Sequence, residues 1–195
     1  MMKNLMLWIA FGLVAALTIG CSGSEKAETP QPALQANEEL SLQHFLEGSI
    51  LDQKGDFAKA ILEYQDALHF KQDPAIYNVI AKDYSALGKH DLAMQMGREA
   101  VRLAPDNRVY HETLAEIYIN AFEVDGATKE YQEIVRIAPS SPDGWMNLAR
   151  LWQVQNPVKA LEVYQEILDR FGPNADTYLQ MAQIYNSMNK LDKAA

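Results

Sequence analysis

A single cysteine, Cys21, stands in 195 residues, so no disulfide can form within the chain and its fold must be held by packing alone. Basic residues are also scarce, 17 Lys and Arg against 26 Asp and Glu, which gives a formal charge of −9. Residues 1–20 carry only Lys3 among charged groups, so everything beyond them is more acidic still. An acidic body with no Lys/Arg cluster repels phosphate backbones and anionic lipid headgroups, and nucleic acid is excluded as a partner. Signatures of catalysis are missing too. No Ser stands in a Gly-x-Ser-x-Gly elbow, and Gly88-Lys89 lacks the glycine-rich loop of a phosphate cradle. His111-Glu112 opens like a zinc-protease helix motif, but Ala115 stands where the second His must be. Glu112 and Glu116 pair at helical spacing, as carboxylates on helix surfaces commonly do. What is present is ordinary for a folded body: 48% apolar and 22% charged residues. No cofactor, metal or small-molecule substrate is indicated, and the chain reads as non-catalytic.

The N-terminus has an export layout. Lys3 is followed by a 15-residue apolar run, Leu5–Ile19, and then by Gly20-Cys21. A membrane-spanning helix needs about 20 apolar residues to cross a core of roughly 30 Å, so this run is short for a retained span. A lone Cys after a small residue at such a place resembles the bacterial lipoprotein signal, which implies that residues 1–20 are removed and Cys21 is acylated. Thr18 and Ile19 depart from that pattern, which has Leu and a small residue there; Leu17 comes one step early. An uncleaved anchor and an ordinary cleaved signal with a free thiol are the other two readings. The resemblance implies the bacterial cell envelope, and Ser22 after the Cys leans towards an outer membrane facing the periplasm where there are two membranes. Ser22 to about Glu39 is rich in Ser, Glu, Gln and Ala, with Pro30 and Pro32 and no apolar periodicity. Residues 21–40 are therefore expected to be a flexible tether reaching about 20–25 Å.

From Ser41 onwards the chain repeats. Small residues recur at Gly48, Ala81, Ala115, Ala149 and Ala182, and a second series at Ala60, Ala93, Ala127, Ala160 and Ala194; neighbours in each series are 33 or 34 residues apart. Leu51, Tyr84, Tyr118, Trp152 and Tyr185 follow the first series, while Tyr64, Gly97, Tyr131 and Tyr164 follow the second. That period is the mark of stacked helix pairs. The repeats run 41–73, 74–107, 108–141, 142–174 and an incomplete 175–195. Punctuation agrees with them: Asp73 and Ser141 can cap helices opening at Pro74 and Pro142, Gly55 and Gly88 sit where first helices end, and Pro105, Pro139 and Pro173 follow second helices. Asn156-Pro157 opens the second helix of the fourth repeat after a turn one residue shorter than its neighbours.

These columns resemble the tetratricopeptide repeat family over about four and a half repeats. The resemblance implies an all-α fold, a right-handed superhelical solenoid of antiparallel helix pairs. Small residues let the paired helices approach, and Tyr64, Tyr131 and Tyr164 are expected to fill the gap before the next repeat, each burial worth about 1.5–3 kcal/mol. Gly97 lacks that ring, and Met94 or Met96 is expected to occupy the space. Glu47 suits the exposed first repeat. Met181, Ile184, Tyr185 and Met188 are expected to lack cover, since the sequence reaches only the start of the tenth helix. The four histidines, His44, His69, His90 and His111, are read as falling at unrelated columns.

In the family the first helices line a concave groove that holds a peptide or a partner helix. Carried over, that surface holds Phe45 with Ser49 and Asp52, then Asn78, Lys82 and Ser85, then Glu112, Glu116 and Asn120. Met146, Arg150 and Gln153 follow, and Leu179, Gln183 and Asn186 come last. The family's clamp for a C-terminal carboxylate is absent, because only Asn78 fits it and Glu112 and Glu116 would repel a carboxylate. The implied function is a scaffold tethered to the envelope that binds another envelope protein or a peptide segment of apolar and partly basic character. Phe45, Met146 and Leu179 serve as apolar contacts and Glu112 and Glu116 as counter-charges. Alternatively, residues 1–195 form the targeting and repeat part of a longer envelope protein with a catalytic or sensor domain beyond them.

Overall fold

Small residues at two fixed places per repeat dictate the architecture. The computed structural model describes residues 31–188, and these form helices joined by short turns. In chain order they are α1 (Gln31–Gln53), α2 (Phe57–Phe70), α3 (Pro74–Ala86), α4 (His90–Leu103), α5 (Arg108–Asn120), α6 (Val124–Ile137), α7 (Pro142–Gln155), α8 (Pro157–Phe171) and α9 (Ala175–Ser187). Consecutive helices pack as hairpins, and α3 also touches α5, so the first helices of adjacent repeats stand side by side. Among the described residues there is no strand, and no helix is long and apolar enough to cross a membrane. Cys21, the apolar run before it and Ala194 lie outside the described residues.

The helix crossings are as close as the side chains allow. Ala60, Ala81, Ala93, Ala115, Ala127, Ala149 and Ala160 are all 0% exposed. In the first repeat even alanine is too large: a Cβ on Gly48 would come within 2.6 Å of the Tyr64 ring. Tyr64, Tyr131 and Tyr164 are buried as anticipated. Tyr64 shares a cluster with Ile76 and Ile80 of the following helix, and Tyr164 shares one with Ile184. Each ring therefore joins one repeat to the next.

The helix ends follow local chemistry. Asp73 accepts from the N–H of Ala75 at 2.9 Å, and Asn156 accepts from those of Val158 and Lys159. Asn156 both ends α7 and caps α8, which is how the fourth repeat shortens its turn. Ser141 does not cap α7; its hydroxyl accepts from the Arg108 guanidinium instead. Gly55 and Gly88 take left-handed φ values of 79° and 70°. The equivalent place in the third repeat holds Phe122, at φ 61° and 90% exposed, so a bulky residue sits there in backbone strain.

Four further expectations need correction. Residues 31–40, expected within the tether, are helical and extend α1 to 23 residues; Pro32 costs nothing in a first turn, and Gln, Ala, Glu and Leu favour helix without apolar periodicity. The space beside Gly97 is taken by Leu114 and Ile117 of α5, whose methyls would meet its added Cβ at 3.0 and 3.7 Å; Met94 and Met96 pack beside neighbouring clusters. Ile184 is 1% exposed under Tyr164, while Met181, Tyr185 and Met188 are half-buried. Finally, His44 and His111 occupy one column two repeats apart, and each meets a glutamate 19 residues further on.

Candidate functional site

The face built by the first helices gathers some of the anticipated residues and buries others. Between α3 and α5 lies an open hollow of about 270 Å³ lined by Lys82, Ser85, Ala86, Thr113, Glu116, Ile117 and Asn120. Lys82 and Glu116 are both exposed there, so the hollow offers a cation and an anion from adjacent helices. Glu112 is half-buried and paired with Arg108 of its own helix at 3.3 Å. Arg150 is exposed and donates to Asn147 at 3.3 Å, and Asn147 in turn donates to the Tyr131 hydroxyl at 3.4 Å. Burial pushes the Tyr131 phenol above its ordinary pKa, the charges of Glu116 and Glu112 add to this, and Arg150 opposes them. Asn147 of α7 thus ties the Tyr131 hydroxyl of α6 to Arg150.

Phe45 stands at the other end of the face. Its ring is tilted on Tyr64 at 5.6 Å between centroids, and it lines a smaller hollow of about 190 Å³ with Leu42, Ile76 and Asp73, at whose mouth Lys71 pairs with Glu38. Leu179 is 56% exposed, Gln183 is exposed, and Met146 packs half-buried against the cluster around Tyr164. Asn78 does not lie on the surface. It is 6% exposed, and its Oδ1 has no hydrogen-bond partner among the described residues.

One residue of this face escaped notice in the sequence. Asp83 stands in the α3 column that holds Ile117, Leu151 and Ile184 in the later repeats, yet it is 3% exposed and its Oδ2 is unpartnered. Burial, then the charge of Asp52 on α1 and a hydrogen bond shared with it, raise the Asp83 carboxyl from 3.8 to about 7. The Tyr64 hydroxyl donates to Ser49 at 3.4 Å nearby, and both aspartates bear on its pKa. Alignment of the repeat columns exposes this residue, because a carboxyl in an otherwise apolar series breaks the pattern.

The histidine and glutamate pairs lie between paired helices rather than on the face. His111 is 3% exposed, with Nδ1 at 2.7 Å from Glu130 and Nε2 at 2.9 Å from the Pro105 carbonyl. The hydrogen bond to Glu130 holds its pKa above the usual value against the opposing effect of burial. Trp145 does the same work in the fourth repeat, donating Nε1–H to the Pro139 carbonyl at 3.1 Å. His111 and Trp145 thus tie α5 and α7 to the loops before them.

Comparison with known proteins agrees with this architecture. Residues 74–107 match the family model described as tetratricopeptide repeat, the same bounds that the small-residue columns give. That segment is a tetratricopeptide repeat, and the chain folds as a solenoid of such repeats. It is 31% identical over 102 residues to small glutamine-rich tetratricopeptide repeat-containing protein 2 of Saccharomyces cerevisiae, covering 52% of this chain and 29% of that one. With tetratricopeptide repeat protein 36 of Caenorhabditis briggsae the identity is 32% over 92 residues, 47% and 43% of the two chains. The match therefore spans less than half of either relative. Among solved structures, a MamA protein superposes with a TM-score of 0.68 at 19% identity, covering 80% of this chain and 86% of that one. YrrB, described as a tetratricopeptide repeat protein with an unusual peptide-binding site, gives 0.65 at 16% identity with 84% and 85% covered. At these identities the likeness is one of fold.

Proposed function

We propose that this tetratricopeptide repeat protein is a non-catalytic scaffold that binds an extended segment of a partner protein along the face of α1, α3, α5, α7 and α9. The observation that carries this reading is the hollow between α3 and α5, where Lys82 and Glu116 stand exposed side by side with Ser85, Thr113 and Asn120. An extended segment has backbone donors and acceptors at every residue, and a lining of mixed charge with hydroxyls and an amide can pair with both kinds. Phe45 and Leu179 add apolar contacts towards the two ends. The peptide-binding site named for YrrB, a protein of the same fold, is consistent with this use. Acylation of Cys21 belongs to the proposal. The export layout of residues 1–20 and the lone Cys after Gly20 support it, and it would hold the scaffold on a bacterial envelope membrane with another envelope protein as partner.

The test is crosslinked capture from native envelopes with the anchored wild type and with a folded variant carrying Lys82→Glu, Glu116→Lys and Arg150→Glu. One protein captured by the wild type and lost from the variant supports the groove as binding site. The same captured set from both, or none from either, contradicts it. Metabolic labelling with a fatty-acid analogue tests the anchor separately: label on the wild type and none on Cys21→Ser is the expected result.

A further inference from the structure

His44 of α1 and Glu63 of α2 form one of two equivalent pairs, with Nδ1 and Oε2 2.8 Å apart. Its counterpart two repeats on, His111 with Glu130, is closed off. There Nε2 is taken by the Pro105 carbonyl, and Glu133 is held by Arg136 at 2.7 Å. In the first repeat both closures are missing. The residue six before His44 is Glu38, inside α1 itself, so no loop carbonyl stands where Pro105 does, and the His44 Nε2 has no hydrogen-bond partner among the described residues. Asp66 occupies the column of Glu133, but His69 replaces Arg136 one turn on, and Asp66 has no ion pair among the described residues.

The three side chains converge. One ligand atom each from His44, Glu63 and Asp66 lies within 4.8 Å of the other two. The His44 ring is stacked on Phe70 at 5.8 Å and 7° between planes, which fixes its orientation. Glu63 and Asp66 are one turn apart on α2, so both project to the same side.

We propose that His44, Glu63 and Asp66 form a zinc(II) site that pins α1 to α2 at the N-terminal end of the solenoid. Imidazole nitrogen and carboxylate oxygen are donors that zinc accepts together, and three protein ligands leave the fourth tetrahedral position to water. Zinc binds these donors at about 2.0–2.2 Å and so holds them about 3.3–3.6 Å apart; the ion takes the place of the proton shared by His44 and Glu63, which is released to solvent, while those two donors move slightly apart and the Asp66 carboxylate swings in. Two ligands come from one helix and the third from its hairpin partner, so the ion cross-links the pair and stabilises the folded chain by mass action.

The experiment is zinc titration by calorimetry, with parallel thermal melts, on the full chain carrying Cys21→Ser throughout so that the thiol does not compete. Zinc alone is the probe, and His44→Gln, Asp66→Asn and His69→Gln are compared. The expected result is one equivalent bound with a raised melting temperature, both effects weakened about tenfold or more by Asp66→Asn and by His44→Gln and unchanged by His69→Gln. Asp66 is exposed, so its substitution does not threaten the fold. No saturable binding by the parent chain overturns the proposal. So does an equal loss in His69→Gln, which would mark adventitious binding by surface imidazole.

Discussion

Replacing Asp83 by Asn should remove a pH dependence that the folded chain otherwise carries. The carboxyl ionises near 3.8 when unfolded and near 7 when folded, because burial and the neighbouring Asp52 both oppose its charge. A raised carboxyl pKa means that the unfolded chain gives up the proton first. Stability from this group is therefore greatest at low pH, falls as pH rises from 3.8 towards 7, and is flat beyond. Each pH unit in that window costs about 1.4 kcal/mol at most. Between pH 5 and pH 8 some two units of the shift remain, and with allowance for relaxation of water and side chains the loss is about 1.5–2.5 kcal/mol. Asp52 on α1 is coupled to Asp83, so the comparison reports the pair, and Asp52→Asn measured in parallel separates its share. Urea unfolding of wild type and Asp83→Asn at pH 5 and pH 8 gives the difference directly. The variant should gain about 1.5–2.5 kcal/mol on the wild type between the two pH values. A difference that stays constant across that range would refute the buried, protonated carboxyl.

Other substitutions probe the packing. Tyr131→Ala removes the ring between α6 and α7 and should cost about 3–5 kcal/mol in thermal or urea unfolding; an unchanged melt would dissociate the ring from repeat stacking. Gly48→Ala places a methyl against the Tyr64 ring in a fully packed crossing and should cost about 1–3 kcal/mol, measured the same way. Phe122→Gly relieves a left-handed φ at a 90% exposed side chain, so it should raise stability by about 1 kcal/mol; a lower melting temperature would contradict the strain.

The architecture was legible because it rests on residues whose roles are local. Ala81 and Ala93 mark a crossing, Gly88 a left-handed turn and Pro74 a helix start, and each can be read without knowing its neighbours in space. The helix over residues 31–40 was hidden because its Gln, Ala, Glu and Leu residues are all exposed where described, so no apolar stripe announces it. The first-helix face was legible as a list of positions but not as a surface. Asn78 and Lys82 are one turn apart, yet one is buried and the other exposed, a distinction set by how closely the adjacent repeat packs. Asp83 and the equivalence of His44 with His111 required only that every column be aligned, not merely the small and aromatic ones. What no column shows is which polar groups meet across repeats, as Arg136 and Asp106 or Asn147 and Tyr131 do.

The most direct test of the groove as binding face is hydrogen–deuterium exchange of the full chain with and without the protein recovered by capture. Added protection on α3, α5 and α7, over residues 78–86, 112–120 and 146–153, is the result this account predicts. Protection confined to α2, α4, α6 and α8, with those stretches unchanged, would contradict it and move the interaction to the opposite face of the solenoid.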